Sequence, residues 1–176
     1  MVLKERARST ILEMKKTIRG DWTTLPFLGT ATTGFVVAVI DFVFLQNLRL
    51  QIYSLAGLFM LLIGLYLRTR ARFELKKKAG FGSLTATGGL QIVEHHQLVK
   101  DGLYKHIRHP IYLGETLRNL GFVAVFSSIY GVLFIVASTV FLFFRIKIEE
   151  KMLIEAFGEE YKEYQRKTKK LIPYIY

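Results

Sequence analysis

The stretch LPFLGTATTGFVVAVIDFVFL, residues 25–45, contains a single charged side chain, Asp41. A helix that crosses the hydrocarbon core of a bilayer needs roughly 20 mostly apolar residues. Three further apolar runs follow at 50–67, 111–126 and 129–144, the last two somewhat short. This pattern predicts an all-α integral membrane protein with about four transmembrane helices in two hairpins.

The bulk composition agrees with a membrane location. The chain has 176 residues, of which 51% are hydrophobic, and a net charge of +11. Its mean hydropathy is +0.29. Basic segments at an anionic leaflet explain both properties together, whereas long apolar runs argue against nucleic-acid binding. The absence of cysteine excludes disulfides, thiolate nucleophiles and cysteine-ligated metals, and no other metal-ligand spacing is present, so we predict no metal site.

The basic residues predict the orientation of the chain. They cluster in three segments, 1–20, 68–108 and 145–170, while only Arg49 lies in the short turns between paired apolar runs. Cytoplasmic segments are enriched in Lys and Arg. We therefore expect both termini, the long central connection and any active site to be cytoplasmic.

These features divide the chain into three parts. Residues 1–20 place apolar side chains on one stripe among Lys and Arg, which predicts an interfacial amphipathic helix without the apolar core of a secretory signal. Residues 21–70 form the first transmembrane hairpin. Residues 71–176 combine the cytosolic connection, the second hairpin and a C-terminal helix, and carry the candidate chemistry.

The third apolar run begins with Arg108, His109 and Pro110. Proline suits the first turn of a helix because its missing N–H has no intrahelical partner there. His109 is then near the N-cap, at a helix end whose free N–H groups favour an anion such as a carboxylate. Arg108 lies just outside, at headgroup depth.

The fourth run delivers charged groups to the same face. Arg145 leaves this span, and Glu149 and Glu150 follow about one turn later. The two hairpins thus offer cations for a carboxylate and anions for an amine, which suits a zwitterion with an additional sulfonium. Gly102 allows close backbone approach, and Tyr104 and Tyr112 can wall an adenine or shield the sulfonium.

Two longer motifs contain these residues. Residues 96–114 read HQLVKDGLYKHIRHPIYLG, and residues 145–164 read RIKIEEKMLIEAFGEEYKEY. Together they resemble the isoprenylcysteine carboxyl methyltransferase family over about residues 70–173. The resemblance implies a small helical membrane bundle that binds S-adenosyl-L-methionine in a cytosol-facing pocket and methylates a lipid-like acceptor, foremost an isoprenylcysteine-type carboxylate.

The resemblance also implies roles for individual residues. Arg145 would contact the acceptor, and Arg108 would lie close to the reacting groups. Cofactor contacts would come from His96, Gln97, Leu98, Val99, Tyr104, His109, Pro110, Ile111, Tyr112 and Glu149, joined by Gly102. Which of Glu149 and Glu150 takes the cofactor's amino group stays open.

The third run departs from that family. Its Gly114, Thr116, Leu120 and Gly121 have a spacing more similar to phospholipid N-methyltransferases. The charged pair Glu115 and Arg118 is one turn apart, beside Asn119, and charges at membrane depth usually face a bundle interior or polar cavity. This pair either contacts a substrate headgroup or locks two helices together. An amine acceptor would need a base, and Glu115, Glu149 or Glu150 is available.

Other function classes remain as alternatives. The C-terminal residues KLIPYIY, 170–176, are similar to the ending of membrane sterol reductases, which would use a nicotinamide cofactor. A non-enzymatic membrane scaffold would explain the spans and basic loops but not both motifs. The sequence predicts no oligomeric state.

Overall fold

The computed structural model describes residues 22–45, 50–79 and 98–172. Every regular element in these ranges is helical, which confirms the predicted all-α class. A 3-10 turn, Gly102–Lys105, precedes the second half of the bundle. The helices are α1 (Thr24–Ile40, continued by a π-helical segment at Asp41–Leu45), α2 (Tyr53–Ala79), α3 (Pro110–Val125), α4 (Ile129–Phe157) and α5 (Glu159–Lys167).

Three segments in the described part of the chain have the length and composition to cross a membrane: Thr24–Leu45, Tyr53–Lys77 and Ile129–Phe157. Helix α3 matches the predicted third run but has only 16 residues. At 1.5 Å per residue it is about 24 Å long, less than the roughly 30 Å hydrocarbon core. The chain is therefore a multi-pass membrane protein, and its helix α3 is shorter than the hydrocarbon core is thick.

Helices α2 and α3 pack antiparallel in the most extensive helix contact of the described chain. A Cβ at Gly64 would overlap the backbone of Arg118, and a Cβ at Gly114 would lie 2.6 Å from the Arg68 nitrogen. Small residues let membrane helices approach this closely. Two further glycines extend the contact: Gly57 and Gly121. The glycine spacing that resembles phospholipid N-methyltransferases is thus explained by helix packing.

Helices α1 and α4 form a second antiparallel contact. Gly34 lies against Ile135, and Gly131 lies against Ala38, with a Cβ at either glycine 3.0 Å from its neighbour. Ser128 caps α4 by accepting a 3.0 Å hydrogen bond from the Gly131 amide. The bundle therefore pairs helices across the two predicted hairpins, α1 with α4 and α2 with α3.

The segment after α5 returns to the start of α3. The Arg108 amide donates to the Lys169 carbonyl at 2.8 Å, and the His109 amide donates to the Lys170 carbonyl at 3.1 Å. The Lys169 amide donates in turn to the His106 carbonyl at 3.2 Å. These bonds hold the C-terminal segment against the residues that lead into α3.

Several predictions fall outside the described ranges. These are the amphipathic helix at 1–20, most of the connection, and the cofactor residues His96 and Gln97. Helix α2 itself continues unbroken through residue 70, where the sequence analysis divides the first hairpin from the core.

Replacing Gly64 by leucine is expected to destabilise the protein, because the side chain would overlap the α3 backbone. Overpacking of this kind costs about 1–3 kcal/mol or more, or a fall in Tm of several degrees. The matched control is Gly29→Leu on α1, where a Cβ meets nothing within 4 Å. Thermal unfolding of the purified protein in detergent measures the effect, and equal Tm values for the two variants would contradict this account of the α2–α3 contact.

Candidate active site

Glu150, near the end of α4, is the centre of a buried polar cluster. Arg108 Nε donates to its Oε1 at 2.8 Å, and His109 Nε2 lies 3.3 Å from the same oxygen. Lys170 Nζ lies 3.4 Å from the other oxygen, Oε2. The predicted convergence of the α3 start and the α4 end is confirmed, and Glu150 has its partners within the protein.

Arg108 connects three parts of the chain. Besides contacting Glu150, its Nη1 donates to the carbonyls of Gln165 at 3.1 Å and Thr168 at 2.5 Å. Only 9% of its side chain is exposed. The guanidinium predicted to lie near reacting groups is thus engaged by α4 and by the C-terminal segment.

Replacing Arg108 by glutamine is expected to lower the stability of the protein. Removing one member of a buried ion pair costs about 3–5 kcal/mol, since the other charge loses its partner. Arg166 is exposed on α5 and provides the control, Arg166→Gln. A large fall in Tm for the Arg108 variant alone is expected; unchanged thermal unfolding would show that these hydrogen bonds do not hold the C-terminal segment.

His109 is the N-cap residue of α3, followed by Pro110 in the first turn, as predicted. Its ring stacks on Tyr112, with centroids 5.6 Å apart and an angle of 21° between the planes. Its Nδ1 lies 3.6 Å from Glu149 Oε2 and its Nε2 faces Glu150. With 2% of its side chain exposed, His109 is held between two carboxylates.

Glu149 differs from Glu150 in its surroundings. Its Oε2 atom is buried and makes no hydrogen bond among the described residues. A buried acceptor without a donor is costly, so it marks a place where a cationic or donor group fits. Of the two glutamates, Glu149 has the capacity for an additional cation, and Glu150 is already satisfied.

Arg145 lies deeper in the bundle and is 5% exposed. Its Nε donates to the Tyr112 hydroxyl at 3.1 Å, and its Nη1 donates to Thr24 Oγ1 at 2.5 Å. Tyr112 also interacts with Glu149. Arg145 and Tyr112, predicted separately as acceptor-binding and cofactor-binding residues, are therefore in contact, and Thr24 of α1, which lies in no sequence motif, is a further partner.

The turn at Gly102 is organised by Glu74 of α2, which the sequence analysis did not single out. Glu74 Oε2 accepts a 2.9 Å hydrogen bond from the Leu103 amide, and Oε1 accepts a 3.0 Å bond from Arg70. Gly102 has a φ of +62°, and a Cβ there would overlap the Glu74 carboxylate. The sequence signal for this role of Glu74 is that it is a single acidic residue within the strongly basic extension of α2.

Tyr104 packs beside this turn, against Ala71 and Val99. Its carbonyl accepts a 2.6 Å hydrogen bond from the Tyr164 hydroxyl. Burial raises the pKa of Tyr104 and Tyr164 well above the ordinary tyrosine value, so both stay neutral phenols. Leu98 is half-buried next to Val99, and Ile111 packs against the same cluster.

Glu115 and Arg118 form the ion pair that their spacing predicts. Glu115 also pairs with Arg68 of α2, and Arg118 donates to Asn119 Oδ1 at 2.8 Å. This group lies between α2 and α3. In the described ranges, no group of three or more His, Asp or Glu side chains can hold a metal ion.

Comparisons with known proteins find methyltransferases that are similar to this chain. The model of the isoprenylcysteine carboxyl methyltransferase (ICMT) family matches residues 58–155. The chain is 32% identical over 133 residues to the protein-S-isoprenylcysteine O-methyltransferase of Schizosaccharomyces pombe, covering 75% of this chain and 54% of that protein. It is 35% identical over 95 residues to methanethiol S-methyltransferase 1 of Bradyrhizobium diazoefficiens, covering 49% of this chain and 33% of that one.

A solved structure agrees with these relatives. The structure of the eukaryotic intramembrane Ras methyltransferase ICMT matches with a TM-score of 0.66 and 28% identity, over 85% of this chain and 52% of that chain. The chain thus spans about half the length of the isoprenylcysteine methyltransferases that it matches.

Proposed function

Because the chain belongs to the isoprenylcysteine carboxyl methyltransferase family, we propose that it is a membrane-embedded methyltransferase that uses S-adenosyl-L-methionine to methylate an isoprenylcysteine-type carboxylate. The observation that carries this proposal is the buried Oε2 of Glu149, which accepts no hydrogen bond among the described residues and lies 3.6 Å from His109 Nδ1. The negative charge of Glu149, where the second half of α4 meets the start of α3, suits the positively charged methyl donor of this family.

The donor set fits the proposed cofactor. Glu149 receives the amino group, and the Ile111 N–H in the first turn of α3, next to His109 and Pro110, receives the carboxylate. The rings of Tyr104 and Tyr112 give apolar walls to the remainder. Gly102 is assigned to shaping the turn, because the Glu74 carboxylate occupies the space beside it. His96 and Gln97 lie outside the described residues, and their cofactor contacts stay a prediction.

The second glutamate and Arg108 have a different role in this proposal. Their mutual hydrogen bond, with the Arg108 bonds to Gln165 and Thr168, leaves them as positioning residues that fix His109 and the C-terminal segment. A rigid surrounding shell keeps a site within the small tolerance that catalysis requires. We therefore assign binding of the methyl acceptor's carboxylate to Arg145. This residue contacts Tyr112, whose ring lines the proposed cofactor site.

S-adenosylmethionine, held by Glu149 and the first turn of α3, would supply a methyl group on positively charged sulfur for transfer to a carboxylate oxygen, with the C–S electron pair remaining on sulfur. Arg145 holds the carboxylate ionised and aligned. The buried environment of Arg145 and His109 excludes water from the reacting groups. The protein thereby contributes orientation and electrostatics, and no covalent intermediate is needed.

We extend the proposal to the orientation of the site. The positive-inside rule and the basic segments support a cytoplasmic location for the site where the start of α3 meets the second half of α4, with the cofactor entering from the cytosol and the lipid-like acceptor entering laterally from the bilayer. The same basic segments contact anionic headgroups at that leaflet.

The test is the identity of the methylated product. The full chain in phosphatidylcholine nanodiscs is incubated with S-adenosylmethionine and a mixture of N-acetyl-S-farnesylcysteine, phosphatidylethanolamine and methanethiol, and products are identified by mass spectrometry. We expect the methyl ester of the farnesylcysteine. A methylated amine on the phospholipid, or methylation of the thiol to a thioether, would show that the methyl acceptor is not a carboxylate.

A further inference from the structure

The group between α2 and α3 has an unbalanced charge. Arg68 and Arg118 both pair with Glu115, and Arg72 interacts electrostatically with all three. Arginine side chains remain protonated in proteins. Three guanidinium groups and one carboxylate therefore leave a net charge of +2 in a partly buried cluster.

Arg72 is the arginine of this cluster that forms no ion pair among the described residues. Its Nε is buried and has no hydrogen-bond partner among residues 22–45, 50–79 and 98–172. A buried guanidinium donor without a partner, next to excess positive charge, is what a bound oxyanion would satisfy.

The cluster adjoins the candidate active site through two residues. Glu115 lies one turn from Tyr112 on α3, and Tyr112 bonds Arg145. Arg72 interacts electrostatically with Tyr104 on the other side. The unbalanced charge is therefore located beside both aromatic walls of that site.

An ion pair that only locks two helices does not account for this arrangement. One arginine would neutralise Glu115, and a third, partly buried guanidinium adds cost at membrane depth without a counter-charge. Arg145 is already engaged by Tyr112 and Thr24, whereas a carboxylate offers about four acceptor positions. A carboxylate held by Arg145 would therefore keep positions for a second cationic group, and α2 and α3 carry three.

We propose that Arg72, together with Arg68 and Arg118, forms a binding site for the carboxylate of the lipid-like acceptor, with Glu115 holding the arginines in place. The inference rests on the proposed function for the identity of this acceptor. It adds that recognition of the anionic group comes from α2 and α3 as well as from α4.

The test uses Arg72→Gln, which removes a charge but breaks no ion pair among the described residues, and Lys76→Gln, which removes an exposed charge one turn along α2. The full chain in phosphatidylcholine nanodiscs is titrated with N-acetyl-S-farnesylcysteine and with its uncharged carboxamide. We expect the wild type and the Lys76 variant to prefer the carboxylate by about tenfold or more, and Arg72→Gln to lose most of that preference.

A control binding measurement separates this site from the proposed function. Affinity for S-adenosylhomocysteine should be unchanged in Arg72→Gln, and Arg72→Lys should keep part of the carboxylate preference if the glutamine variant does not fold. Equal affinity of the wild type for carboxylate and carboxamide, or an equal preference in both glutamine variants, would overturn the assignment. Loss of the proposed function would instead appear as carboxylate binding without ester formation.

Discussion

Replacing Arg145 by glutamine is expected to lower the rate of methyl transfer by about 100-fold or more, the usual effect of losing one electrostatic contact to reacting groups. Arg145 is 5% exposed and joins Tyr112 and Thr24, so its guanidinium is fixed before a substrate arrives. Such a fixed charge aligns an acceptor carboxylate without reorganisation during the reaction. The measurement is kcat for methylation of N-acetyl-S-farnesylcysteine.

The matched control is Lys147→Gln, which removes an exposed charge from the same helix. Affinity for S-adenosylhomocysteine should stay within about twofold of the wild-type value in both variants, because Arg145 is assigned to the acceptor and a twofold change is below 1 kcal/mol. An Arg145→Gln protein that loses this affinity while folding normally would refute the acceptor role and assign Arg145 to the cofactor.

The second large effect is expected at Glu149. Changing it to glutamine removes the charge but keeps nearly the same shape, and hydrogen bonds to charged groups contribute about 1.5–3 kcal/mol. The Kd for S-adenosylhomocysteine, measured by calorimetry, should therefore rise by about tenfold or more. Glu155→Gln, at a side chain that is 66% exposed on the same helix, should leave the Kd unchanged.

The neighbouring glutamate provides a sharper comparison. Glu150 already contacts Arg108, His109 and Lys170, so Glu150→Gln should lower Tm more than it weakens ligand binding. Glu149→Gln should do the reverse. The opposite outcome, with Glu150 controlling affinity and Glu149 controlling stability, would exchange the roles of the two residues.

Local sequence signals predicted the parts of the site that depend on one helix at a time. Pro110 marks the first turn of α3 because the N–H that proline lacks would have no intrahelical acceptor there, and His109 takes the N-cap position accordingly. The same holds for Glu115 and Arg118, which meet because they are one turn apart. Apolar runs long enough to span a membrane likewise predicted α1, α2 and α4, because such a run is a property of one helix alone.

Contacts between helices were less accessible to sequence reasoning. Thr24 and Glu74 lie in no motif, and their contacts with Arg145 and the Gly102 turn arise only when distant helices pack. The pairing of α2 with α3 depends on glycines whose role is visible only from the facing backbone. Arg108 was predicted near the reacting groups, yet its partners include carbonyls 57 and 60 residues away in the chain.

The site where the start of α3 meets the second half of α4 is proposed to bind a methyl donor. The decisive measurement is calorimetric titration of the full chain in nanodiscs with S-adenosylhomocysteine, and separately with a nicotinamide nucleotide. We expect one saturable site for S-adenosylhomocysteine, weakened in Glu149→Gln, and no binding of the nicotinamide nucleotide. Binding of the nicotinamide nucleotide alone would contradict the account in favour of a reductase, and binding of neither ligand would contradict it in favour of a membrane scaffold.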